Sequence, residues 1–143
     1  MKRAFSLFEL IVVVVIIAII SSFIFSKIND SMNYSRKAQI KSEIALVRNS
    51  ISKINSKNIL LKNDFLDSLD EAEINENKSE LFTKILDFPL ISTTKEMKKL
   101  GAWIKTSDTK YMVFINEDLN IEFNFEDNSF TCKSDISLCT EYE

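Results

Sequence analysis

The chain has 143 residues, a formal net charge of -3, no histidine, one glycine, one proline and two cysteines. That length allows one membrane helix and one modest domain of about 110 residues, which excludes a multidomain enzyme. The mild acidity argues against a broad basic nucleic-acid footprint, and the missing histidine removes the usual general base and the commonest metal ligand.

The first predicted element is a membrane helix. From Phe5 to Phe25 the sequence FSLFELIVVVVIIAIISSFIF is apolar except for one carboxylate, Glu9. About 20 residues rising 1.5 Å each span roughly 30 Å of hydrocarbon. An acidic side chain there costs on the order of 2.5 to 3.5 kcal/mol on insertion scales, so Glu9 needs either headgroup water or a positive partner.

Lys2-Arg3-Ala4, followed by Phe5-Ser6-Leu7-Phe8-Glu9-Leu10 and a valine and isoleucine run, resembles the class III signal of type IV pilins and type II secretion pseudopilins. The resemblance implies that a membrane aspartyl prepilin peptidase cuts between Ala4 and Phe5 and that Phe5 becomes the N-methylated first residue. Glu9 then matches the family's glutamate and can neutralise the Phe5 amine of a neighbouring subunit in a low-dielectric helix bundle. The partners implied are the membrane, other pilin-like subunits, the prepilin peptidase and an inner-membrane assembly platform.

Two departures narrow the resemblance. Ala4 stands where the family usually has glycine before the cut, and Ala18 and Ser26 stand where many major pilins have glycine and proline. The pattern is closer to a pseudopilin or minor pilin than to a major pilus subunit. A secretory signal peptide would have a shorter apolar region and a small-x-small site, for which Ile20 with Ser22 is poor. A plain signal anchor leaves Glu9 and the short leader as coincidences.

Charge alone does not orient the helix, because Lys2 and Arg3 precede it while Lys27, Arg36, Lys37 and Lys41 follow it. The leader pattern, together with Cys132 and Cys139, points to a periplasmic C-terminal domain. In that oxidising compartment the close pair reads as a disulfide closing a short loop, worth roughly 2 to 3 kcal/mol.

With no Gly or Pro after the anchor, the helix is expected to continue to about Asn55. Ile28, Met32, Ile40, Ile44, Val47, Ile51 and Ile54 recur at helical steps and form an apolar stripe. The opposite face carries Arg36, Lys37, Lys41, Arg48, Lys53 and Lys57 against Glu43. It reads as a solvated face or one that meets acidic surfaces of neighbouring subunits, and direct nucleic-acid contact is not expected because no aromatic interleaves with the charges.

Between Asn58 and Gly101 short helices are predicted, capped by Asp64, by Ser79 and by a Thr93/Glu96 box, with Pro89 stopping the second and Gly101 closing the third. Asp70 to Glu80 reads as a polar loop. From Ala102 the period becomes two, giving strands at Ala102 to Thr106, Tyr111 to Asn116, Leu119 to Glu126 and Ser129 to Cys132. They form an antiparallel meander with one buried face, covered by the helix stripe, with Trp103, Tyr111 and Phe130 as further core residues.

The expected fold is therefore α+β and pilin-like: leader 1–4, transmembrane helix 5–26, periplasmic half of the helix 27–57, a variable loop 58–101, and a sheet with a C-terminal disulfide loop over 102–143. No catalytic set, cofactor or metal is expected. Glu117, Asp118, Glu126, Asp127 and Asp135 read as solvated turn residues, since the spacing of an EF-hand is missing. The function expected is a structural subunit of a type IV filament-like machine, for protein secretion or DNA uptake. The alternative is a bitopic inner-membrane protein whose periplasmic domain does not polymerise.

Overall fold

The structure, a computed structural model, describes residues 6–143, with the side chains of Phe25, Ser26, Asn29 and Asp30 left out of the description. Ala4 and Phe5, on which the expected cut and methylation fall, lie outside the described residues. The chain divides into two compact units, Met1–Ser35 and Arg36–Glu143.

One helix, α1 (Leu7–Leu61), contributes to both units. It passes the expected end at Asn55 and stops without glycine. Lys62 adopts φ 57°, its N–H donates to the Ile59 carbonyl at 3.4 Å, and the Asn63 N–H donates to the Asn58 carbonyl at 2.9 Å. These are the paired bonds of a Schellman ending, here built on lysine. The Asn58 amide adds a bond to the Asp64 carbonyl at 2.9 Å, so Asp64 takes part in closing this helix and caps no new one.

In the first unit, the 18 helical residues Leu7–Ile24 are predominantly apolar, none of them buried, and long enough to cross a membrane. The Ser21 hydroxyl returns to the Ile17 carbonyl at 2.7 Å, which satisfies it within the helix.

The second unit holds the core. Ile40, Ile44, Val47 and Ile51 of α1 are buried with Ile54 half-buried beside them, so the helical period marks the buried face from Ile40 onward, while Ile28 and Met32, expected in the same stripe, are exposed. Two short strands, β1 (Glu80–Leu81) and β2 (Leu90–Ile91), pair antiparallel. They are followed by β3 (Trp103–Lys105), β4 (Lys110–Phe114), β5 (Asn120–Glu126) and β6 (Ser129–Cys132), a four-stranded sheet in sequence order with every neighbour antiparallel. Asp127 and Asn128, both at positive φ (50° and 58°), make the tight β5–β6 turn, a conformation that Asp and Asn tolerate.

The sheet buries both faces of β3 and β4, where one was expected. Trp103, Tyr111 and Val113 join the main core with Phe123, Phe125 and Phe130. On the alternate positions Ile104, Met112 and Phe114 form a second small cluster with half-buried Leu100. The continuous burial of β4 after Lys110 follows from this second layer.

The short helices expected before Gly101 are corrected by the structure: among the described residues, 62–101 contains none. Ser79 leads into β1, and its hydroxyl bonds the Glu76 carboxylate. The expected Thr93/Glu96 box is replaced by the Asn75 amide donating to Glu96 at 3.2 Å, while the Thr93 hydroxyl meets the Met97 sulfur at 3.7 Å. Strand pairing and long-range side-chain bonds outweigh weak local helix signals here. Gly101, at φ 76°, turns the chain into β3, and its N–H donates to the Phe114 carbonyl at 2.8 Å. A final helix, α2 (Ile136–Tyr142), is unannounced by the sequence pattern.

Candidate functional site

The N-terminal region is the first site. Ser6 precedes α1, its carbonyl accepts from the Leu10 N–H at 3.2 Å, and its hydroxyl accepts from the Glu9 N–H at a long 3.4 Å. Ser6 thus caps the start of α1, with Glu9 in the first turn, where a negative charge is favoured by the helix dipole. That local reason for a carboxylate at this position was readable in the sequence and missed by the reading from membrane cost alone.

The second arrangement lies in the head. Asp70, expected in a polar loop, is 2 % exposed, and Lys105 is 4 % exposed. One Asp70 oxygen accepts from Lys105 Nζ at 2.9 Å and from the Ala72 N–H at 3.2 Å. The other accepts from the Tyr111 hydroxyl at 2.8 Å and from the Phe82 N–H at 2.9 Å. Lys105 Nζ also donates to the Ala72 carbonyl at 2.9 Å. Burial, then the charge and hydrogen bond of Asp70, push the Tyr111 phenol far above its ordinary range. Phe82 is held at φ 63° by this carboxylate and packs edge-on against Trp103 and Phe130. One signal for Lys105 was available: its period-two spacing from Trp103 puts it on the core-facing side, where a cation needs an anion. Nothing local identifies Asp70 as that anion.

Several charges read as a solvated face of α1 are held instead by other elements. Trp103 Nε1 donates to Glu43 at 2.7 Å. Arg48 Nε donates to the Phe130 carbonyl at 2.9 Å, and its guanidinium also bonds Glu143. Lys37 donates to Glu141 at 2.6 Å and lies 5.7 Å from the centre of the Tyr142 ring. Burial raises the Tyr142 pKa, Glu141 adds to the rise, and Lys37 and Arg36 oppose it. Cys132 and Cys139 are joined by a disulfide with Cα atoms 5.8 Å apart. The C-terminal segment is therefore tied to β6 covalently and to α1 by ion pairs.

Among the described residues no three His, Cys, Asp or Glu side chains converge as metal ligands. The turn carboxylates stay dispersed, and the Asn116 side chain organises the Glu117-Asp118 turn by accepting from the Asp118 and Leu119 N–H groups at 2.9 and 2.7 Å.

The apolar N-terminal helix, the short second helix and the antiparallel sheets define an α+β, pilin-like arrangement. Residues 1–25 match the prokaryotic N-terminal methylation motif, the signature of the prepilin-type signal of type IV pilins and pseudopilins. Comparison with curated proteins and with solved structures gives no match. The motif supports a pilin-like subunit, and such subunits are structural. It implies membrane association, processing by a prepilin peptidase and other pilin-type subunits as partners. With the apolar helix it marks a single-pass membrane anchor.

Proposed function

We propose that this chain is a pseudopilin or minor pilin, a subunit of a type IV filament-like machine that serves type II protein secretion or DNA uptake. The single observation that carries the reading is the methylation motif over residues 1–25. In this reading the peptidase cuts between Ala4 and Phe5 and Phe5 is N-methylated. The head, tied by Cys132–Cys139, lies in the periplasm, and an inner-membrane platform adds the subunit to a filament. Glu9 of an incoming subunit pairs with the Phe5 amine of its neighbour, because each charge alone is expensive in lipid and the pair is much less so.

One observation favours a second reading. Glu9 lies in the first turn of α1, where the helix dipole favours a negative charge, a local role that a non-polymerising bitopic protein would also use. Glu9→Ala and Glu9→Gln separate the two. Both variants are expected to insert into the membrane normally and to lose subunit crosslinking along with secretion or DNA uptake. Normal crosslinking and function in both would leave Glu9 as a helix-start residue and favour the bitopic reading.

A further inference from the structure

We propose that the groove between α1 and the Thr83–Phe88 segment is a binding site for single-stranded nucleic acid. No aromatic stands among the basic residues of α1 itself from Arg36 to Lys57, and the fold supplies one from elsewhere in the chain. Phe88, 87 % exposed, lines a groove of about 460 Å³ with Lys53, Lys57, Lys84, Ser50 and Thr83. That volume falls within the ~300 to 1,000 Å³ range of ligand pockets.

The charges are available. Lys53 and Lys57 are exposed, and among the described residues neither has an ion-pair or hydrogen-bond partner, whereas Lys37 and Arg48 on the same helix are held by the C-terminus. They stand one turn apart, about 6 Å along the axis, a separation comparable to the step between successive phosphates of an extended strand. Lys84 sits across the groove, held by Ser68 at 2.8 Å and by Glu71 at 3.6 Å. An exposed ring beside free cations is the combination that binds bases by stacking and phosphates by charge without reading sequence. An acidic peptide would use the lysines and have no need of the ring. Asp87 also lines the groove, and its carboxylate opposes a phosphate.

The test uses the full chain in neutral detergent micelles and a fluorescein-labelled oligothymidylate, followed by polarisation across a salt series. Two phosphate contacts predict a log–log salt slope of about -1.4. Phe88→Ala is expected to weaken binding roughly tenfold by loss of base stacking. Lys53→Gln with Lys57→Gln should flatten the salt dependence toward zero, and Asp87→Asn should tighten binding. Absence of binding at low salt, binding indifferent to Phe88→Ala and to the double lysine variant, or equal competition by polyglutamate would each overturn the proposal. Binding in micelles requires neither cleavage nor assembly, so its failure and failure of the filament reading are separate results.

Discussion

Asp70 ties four parts of the head together, because its carboxylate accepts from Lys105, Tyr111, Phe82 and Ala72 at once. Removing one member of a buried ion pair strands the other, at roughly 3 to 5 kcal/mol, and Asp70→Ala is expected to show a loss of that order in denaturant melts. The double variant Asp70→Ala with Lys105→Met should be less destabilised than Asp70→Ala alone, since no buried charge is left unpaired. Equal stability of the two would mean the ion pair is not the source of the loss. Phe82 depends on the same carboxylate, which holds the aromatic in a left-handed conformation that most side chains avoid. Tyr111 gives a pH signature. Its folded pKa lies above the unfolded value near 10, so its contribution is complete below about pH 10 and is lost as pH rises above it, where only the unfolded chain ionises. Tyr111→Phe should flatten that alkaline decline, and an unchanged slope would contradict the assignment.

At the scale of elements, the C-terminal helix is the clearest case of structure held from outside. α2 has seven residues and no side-chain cap at Asp135, so it is too short to persist by propensity. The Cys132–Cys139 bond and the pairs Lys37–Glu141 and Arg48–Glu143 hold it in place. Cys132→Ser with Cys139→Ser is expected to destabilise the head by about 2 to 3 kcal/mol, read as a shift in the denaturation midpoint. It should also increase proteolysis near Ile136, and intact protease resistance would contradict the tether. The elements legible in the sequence were those with a sustained period: the stripe from Ile40 to Ile51 and the alternation of Ile121, Phe123 and Phe125. The elements that were not legible arise from contacts distant in sequence. Leu81 pairs with Leu90, Lys62 ends a helix in a conformation usually given to glycine, and Met112 and Phe114 find a second core layer that alternation alone assigns to solvent. Among site residues, Glu9 stood out because a carboxylate is costly within an apolar run, and the cysteines because of their spacing. Asp70 and Phe88 looked like ordinary loop residues.

The whole molecule comprises a membrane-length, predominantly apolar helical segment with one carboxylate near its start, and a small head with a helix-backed sheet. The N-terminal methylation motif covers residues 1–25 and so extends into the helix. A bulky residue in place of Ala4 is therefore expected to leave the precursor uncut in the membrane, detectable as a slower band that fails to enter filaments. The central claim, that this is a processed filament subunit, is tested most directly by mass spectrometry of the N-terminal peptide from the membrane fraction. The expected result is a peptide that begins at Phe5 and is heavier by one methyl group. A functional protein whose N-terminal peptide still begins at Met1 would contradict it.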